Sequence, residues 1–254
     1  MKPVFAILLV ITLIGLETPA FAARLVSGVS DREIAIDPAF AGENLTLYGN
    51  IERDPGSDET LIGPFDAIVV VRGPSNDRVV RKKTREFGIW INTSAVVYHN
   101  FPSFFWTLSN RDLDQITTVE TLESVGIIPE RRSADALTSG SGNRGEFSPK
   151  LIELMRASGN MGTNTRAVSF QSDTLYSARI NLPADIPNGN YLAETYIFDD
   201  GEIIARKAER FSVRTIGFER FLATSARQNP AIYGLTCIAL ALLTGWLGGV
   251  LFKR

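Results

Sequence analysis

Imidazole chemistry in this chain has to pass through one residue. His99 is the only histidine among 254 residues, and Cys237 is the only cysteine. His99 sits in Val96-Val97-Tyr98-His99-Asn100-Phe101-Pro102-Ser103-Phe104-Phe105-Trp106, a run crowded with aromatic side chains. A reactive histidine needs one group to orient it and a nucleophile or metal to use it. With a single imidazole, a zinc site would have to be completed by carboxylates, which is an unusual ligand set. A Ser-His-Asp arrangement can assemble from distant segments. The chain nevertheless has no Gly-x-Ser-x-Gly elbow, because Ser139-Gly140-Ser141-Gly142 falls in a polar run. It also lacks a Gly-Lys-Ser/Thr phosphate loop and a Cys-x-x-Cys-His haem motif. No catalytic residue, metal or cofactor is assigned, and the chain is expected not to be an enzyme. A hydrolase using His99 is the minor alternative.

The same stretch has two non-catalytic readings. As a binding surface, Tyr98, His99, Phe104, Phe105 and Trp106 would offer aromatic faces beside polar groups to a glycan, a small molecule or a partner's strand. As core, Phe101, Phe104 and Trp106 would fill the space between sheets and helices. Arg81-Lys82-Lys83 with Arg85 is a basic run on a strand, and such runs are solvated faces or anion contacts.

The elements that position these residues start from the two ends. Lys2, an apolar run from Val4 to Leu16 and Ala20-Phe21-Ala22 form the three-part pattern of a secretory signal, with cleavage expected after Ala22. The apolar run would make a helix of about 20 Å, short of the roughly 30 Å hydrocarbon core. From Pro230 to Phe252 the chain carries no charge, and Lys253-Arg254 follows. That length gives a helix of about 35 Å, enough to cross a bilayer. With the signal exporting everything after Ala22, the terminal basic pair marks a cytoplasmic end. The expected placement is a single span in a bacterial inner membrane, with the bulk of the chain in the periplasm. Residues 217–229, with Phe218, Phe221 and Leu222 on one side, predict an amphipathic helix at the membrane surface. The net charge of −2 gives no footprint for nucleic acid.

Between the ends the period is two. Glu33–Asp37, Asn44–Gly49 and Asp66–Arg72 alternate between turn clusters such as Asp54-Pro55-Gly56-Ser57 and Gly73–Asp77, which are strand signals. Val79–Asn92 reads as one longer basic strand. Leu113, Ile116, Val119, Leu122 and Val125 then fall at helical spacing, with Ser109 and Asp112 suggesting a capping box. Residues 129–145 read as a mobile loop. Ser148-Pro149 reads as the start of a short helix through Met155. Strands return at Ala178–Leu182, Tyr191–Phe198 and Ile203–Val213. Gly189 and Tyr191 resemble the corner of immunoglobulin-like sandwiches, where a tyrosine hydroxyl ties back to the backbone. The predicted fold is mainly β: an immunoglobulin-like sandwich of about seven strands over residues 23–216, a helical insertion at about 110–160, and one C-terminal transmembrane helix at 230–252.

Three stretches carry a resemblance: Gly88-Ile89-Trp90-Ile91-Asn92 with Pro102-Ser103-Phe104, Leu182-Pro183 with Ile186–Tyr191, and Tyr233-Gly234 with Gly245-Trp246. In this order they resemble the predicted transmembrane protein family of alphaproteobacteria, whose function is not established. The resemblance implies an inner-membrane protein facing the periplasm and brings no catalytic residues. Within the span, Cys237, Ala241, Gly245 and Gly249 recur every fourth residue and share one helix face, a pattern that lets a second helix approach closely. The expected function is therefore a membrane-anchored periplasmic accessory protein. Its partner would be another membrane helix, from a second copy or a transporter subunit. The alternative is a periplasmic module that binds a glycan or small molecule.

Overall fold

The computed structural model describes residues 23–53 and 63–251, without the side chains of residues 218–221 and 223. The expected signal segment, the Asp54–Ser57 turn and the Lys253-Arg254 tail lie outside the described residues. The strands before the first helix are β1 (Ala23–Val29), β2 (Glu33–Ile36), β3 (Glu43–Arg53), β4 (Asp66–Arg72), β5 (Ser75–Glu86), β6 (Ile89–Pro102) and β7 (Phe105–Ser109). The helical stretch holds α1 (Leu113–Ile116), α2 (Val119–Ser124), α3 (Pro129–Asp135), β8 (Thr138–Gly140) and α4 (Arg144–Ala157). After it come β9 (Met161–Asn164), β10 (Val168–Phe170), β11 (Leu175–Leu182), β12 (Gly189–Asp199) and β13 (Glu202–Thr215). Helices α5 (Phe218–Gln228) and α6 (Pro230–Leu251) complete the described chain.

Among the described residues three sheets form: β1-β3-β11-β10, β2-β13-β12-β4-β7-β9 and β5-β6-β8. The first two stack on a shared core that includes Leu45, Leu47, Tyr176 and Ile180 from one sheet and Val69, Val71, Ala193 and Ile197 from the other. A second core lies on the opposite face of the six-stranded sheet. There Ile68, Val70, Tyr196 and Phe198 meet Val96, Tyr98 and Phe101 of the third sheet and Ile116, Leu122, Phe147 and Leu151 of the helices. Strand β4 belongs to both cores, with Ala67, Val69 and Val71 on one face and Ile68 and Val70 on the other. That is why Ala-Ile-Val-Val-Val reads as an unbroken apolar run: a strand covered on both faces has no polar side to alternate with.

Several expectations are corrected. Val79–Asn92 is not one strand but the tip of a hairpin, with β5 and β6 antiparallel and in register from Lys83–Asn92 to Glu86–Ile89. The connection is Phe87-Gly88, both at positive φ (49° and 87°). Ser109 does not cap a helix: it ends β7, buried, and its hydroxyl donates to the Arg111 carbonyl at 2.7 Å. The expected loop at 129–145 holds α3 and β8. Helix α4 begins at Arg144, capped by Asn143, whose side chain accepts from the Gly145 amide at 2.8 Å, and Pro149 lies inside it. Proline there gives up the hydrogen bond that its own N–H would make, which the rest of the helix tolerates.

Tyr191 begins the buried part of β12. Its hydroxyl donates to the Pro187 carbonyl at 2.6 Å, and its ring stacks on Phe211 at 5.0 Å and meets Phe104 edge-on at 5.7 Å. Burial pushes its phenol well above the ordinary tyrosine value. Gly189 (φ 149°) lets this turn pass Pro74: a Cβ there would lie 2.6 Å from the proline ring.

Candidate functional site

The aromatic stretch resolves largely into core. Tyr98, Phe104 and Phe105 have no exposed area, and Phe101 is 1% exposed. Of the binding surface expected from Tyr98, His99, Phe104, Phe105 and Trp106, the three rings of Tyr98, Phe104 and Phe105 lie inside and are closed to a ligand. Phe104 and Phe105 enter opposite cores from adjacent positions. Trp106 is partly buried, donates its indole N–H to the Gly159 carbonyl at 2.9 Å, and covers Gly162, where any side chain would collide with the ring.

His99, with 41% of its side chain exposed, is not isolated. Its Nδ1 lies 2.9 Å from Asp77 Oδ2, and its Nε2 lies 2.8 Å from Ser139 Oγ. Asp77, His99 and Ser139 stand on β5, β6 and β8, which are neighbours in one sheet. The β5–β6 register shifts between Asn76 and Arg78, and this bulge turns Asp77 toward β6. Its Oδ1 accepts from the Asn100 amide at 3.1 Å, with Asn100 at φ 52°. That amide first, and the imidazole second, hold the Asp77 carboxyl below the ordinary aspartate value. The imidazole's own backbone amide donates to the Leu137 carbonyl at 2.9 Å, so β8 is tied to β6 beside it.

Carboxylate, Nδ1, Nε2 and hydroxyl thus follow in the order of a hydrolase triad. The environment differs from such a triad. The Asp77 side chain is 60% exposed and the His99 side chain 41% exposed, whereas a triad aspartate is buried. Sequence inspection alone does not join these residues, because the bulge and the three-strand register bring them together.

Next to His99 a cavity of about 470 Å³ is lined by Arg72, Arg131, Arg132, Glu123, Asp135 and residues 99–102 at the end of β6, among others. Its guanidinium groups are already engaged in part. Arg72 pairs with Glu194 and donates to the carbonyls of Val125 and Gly126 at 3.2 and 3.0 Å, while Arg131 lies 3.5 Å from Glu123 and 3.7 Å from Asp135. Burial draws the Arg72 pKa below the ordinary guanidinium value. A second, more apolar cavity of about 700 Å³ lies between α3 and α4, lined by Ala134, Pro149, Ile152 and Arg156 among others. Among the described residues, no group of three histidine, cysteine, aspartate or glutamate side chains is placed to hold a metal ion.

Helix α6 is the remaining candidate. It is long and apolar enough to cross a membrane, and none of its residues is buried against the other described residues. Cys237 is exposed, and the positions of Gly245 and Gly249 have open space where a Cβ would stand. Thr236 and Thr244 turn their hydroxyls back onto the carbonyls of Ile232 and Leu240, at 2.9 and 2.7 Å, leaving no unpaired polar group from either side chain in the span.

No curated protein matches the sequence. Among solved structures, a family 123 glycoside hydrolase from Clostridium perfringens aligns with 76% of this chain and 27% of its own length, at 11% identity and a TM-score of 0.21, a likeness that carries no argument about fold or activity. Residues 24–254 match the family described as "Putative transmembrane protein (Alph_Pro_TM)". With one membrane-length helix at its end and a match over nearly its full length, the chain belongs to this transmembrane family.

Proposed function

We propose that the protein is a non-enzymatic accessory module of the bacterial inner membrane. In this reading its β domain stands in the periplasm, and α6 docks on another membrane helix, from a second copy or a transporter subunit. The observation that carries it is α6 itself, a 22-residue apolar helix unburied along its length, whose residues Cys237, Ala241, Gly245 and Gly249 share one face. The signal-like N-terminus and the basic C-terminal pair support the orientation. The β layers fit an immunoglobulin-like sandwich: β1-β3-β11-β10 and β13-β12-β4 follow the ABED and GFC strand orders, and the Tyr191–Pro187 bond fits the tyrosine corner.

The test is crosslinking of the full chain in native membranes. Oxidation should join Cys237 to Cys237 of a second copy, or a crosslinker should join the helix to one transporter subunit. Gly245→Leu with Gly249→Leu should abolish that product, because the added side chains hold a facing backbone away. An unchanged product in the double variant, or no product from either chain, rejects docking through this face.

A second reading rests on the Asp77–His99–Ser139 chain alone: a hydrolase with Ser139 as nucleophile and His99 as base. It requires a fluorophosphonate probe to label Ser139 in the native chain and not in His99→Ala, with both proteins unfolding at the same temperature. Absence of labelling removes this reading and leaves the three residues as a polar ladder that holds β8 to its sheet.

A further inference from the structure

Exposed large apolar residues are scattered singly over most of the β domain, as on any soluble surface. The end of the β5–β6 hairpin is different. Within five consecutive positions Phe87 is 104% exposed, Ile89 64%, Trp90 68% and Ile91 37%. From Ser94 outward no residue of β6 is buried, and β5 is equally uncovered beyond Val80 apart from half-buried Thr84. With about 3.3 Å per residue the finger reaches roughly 20 Å past the buried Val80–Val96 pair.

The turn adds a second observation. Phe87 stands at φ 49°, a left-handed position that a bulky residue occupies at a steric cost and that asparagine or glycine would take without it. A phenylalanine held there and left uncovered is explained by neither local stability nor solubility. The cross-strand register sets the charge around it. Trp90 faces Arg85, Asn92 faces Lys83, and Ile89 faces Glu86. Lys83 and Arg85 flank the apolar end, with Arg81 and Lys82 farther back on β5, against one local carboxylate, Glu86. Among the described residues, only Lys82 of these four has an acidic partner, Glu146 on α4 at 2.5 Å.

Four large apolar side chains at the end of an uncovered hairpin present a protruding surface. A protruding aromatic and aliphatic end flanked by cations suits a lipid interface. Tryptophan and phenylalanine settle at headgroup depth, and lysine and arginine meet anionic headgroups. We propose that Phe87–Ile91 is a bilayer-inserting finger that engages anionic phospholipid in the membrane crossed by α6. This rests on the anchored reading of α6, and the β domain would then touch the membrane at two places, through its helix and through its hairpin.

The experiment uses the full chain, one copy per lipid nanodisc, so that no second protein can cover the tip. Cys237→Ser with Asn92→Cys places a fluorescent label beside the apolar end while leaving Phe87, Ile89, Trp90 and Ile91 in place. Spin-labelled lipid carrying its quencher at headgroup depth should remove most of that fluorescence in discs containing phosphatidylglycerol. The loss should fall several-fold in discs of phosphatidylcholine alone and in the Lys83→Gln, Arg85→Gln variant. It should vanish in Phe87→Ser, Trp90→Ser, whose exposed positions leave the cores intact. A label that lipid does not quench, and that aqueous iodide quenches as freely as one at exposed Asp173, overturns the proposal. A separate preparation labelled at native Cys237 reads the span. Quenching there by deep-lying spin label, without quenching at the tip, rejects the finger alone. No quenching at Cys237 rejects the anchored reading beneath it.

Discussion

Replacing Glu194 by alanine should cost the protein about 3–5 kcal/mol, the range for removing one partner of a buried ion pair. Glu194 sits on β12 with 6% of its side chain exposed, and its two oxygens pair with Arg72 of β4 and Arg206 of β13, the strands on either side. Arg72 is 18% exposed and extends past the sheet to the Val125 and Gly126 carbonyls at the end of α2, lying 5.6 Å over the Phe105 ring. Without the carboxylate, that guanidinium stays trapped beside the Arg132 and Arg206 cations that already oppose its charge. The loss is therefore an uncompensated buried charge, and it loosens the contact between the sheet and the helical layer. Lys82–Glu146 is the internal control. Both of its side chains are about half exposed, so Glu146→Ala should cost no more than about 1 kcal/mol. Urea unfolding in detergent micelles measures both variants. A Glu194→Ala cost as small as that of Glu146→Ala would mean that the pair behaves as a surface contact. Glu194→Leu combined with Arg72→Met should recover much of the loss, since an apolar pair of similar volume leaves no charge stranded.

How far the sequence foretold this arrangement depends on what each residue needed in order to be read. The strands at Glu33, Asn44, Ala178, Tyr191 and Ile203 were legible because one of their faces is wet or their ends carry Gly, Pro, Asn or Asp. The span at 230 was legible from its length and lack of charge. The hairpin tip was not, since Phe87-Gly88 replaces the asparagine or aspartate that ordinarily announces such a turn, leaving what looked like one basic strand. The short strands β8, β9 and β10 span three or four residues each and owe their existence to the neighbours that pair with them. The helical stretch divides into four helices, with Thr118 rather than Ser109 supplying a side-chain cap. Partners of His99 were hidden for a different reason. Asp77 and Ser139 lie 22 and 40 residues away, and a bulge sets which side of β5 the aspartate faces. Adjacent buried aromatics, Phe104 and Phe105, were ambiguous because a surface strip and a strand between two cores give the same sequence.

Those two phenylalanines yield the second large expectation. Phe104→Ala and Phe105→Ala should each cost about 3–5 kcal/mol, the transfer and cavity terms of a fully buried ring. Their cavities open on opposite sides of the six-stranded sheet, Phe104 beside Tyr191 in the first core and Phe105 beneath Arg72 in the second. If the helical layer were an appended domain, Phe105→Ala would melt that layer and leave the stacked sheets alone. Strand β4 argues otherwise, because Val69 and Val71 cannot keep their place in one core while Ile68 and Val70 lose theirs in the other. The backbone between them is one strand, hydrogen-bonded on both sides to β12 and β7. Both variants should therefore shift a single unfolding transition by similar amounts, about 10 °C for a domain of this size. Hydrogen exchange supplies the deciding measurement. Amides of β11 lie in the four-stranded sheet, on the far side of the molecule from Phe105. In Phe105→Ala they should lose protection as much as amides of α4 do, because both open only through the global transition. Protection in β11 that stays at its native level while α4 exchanges freely would divide the protein into two folding units meeting at β4.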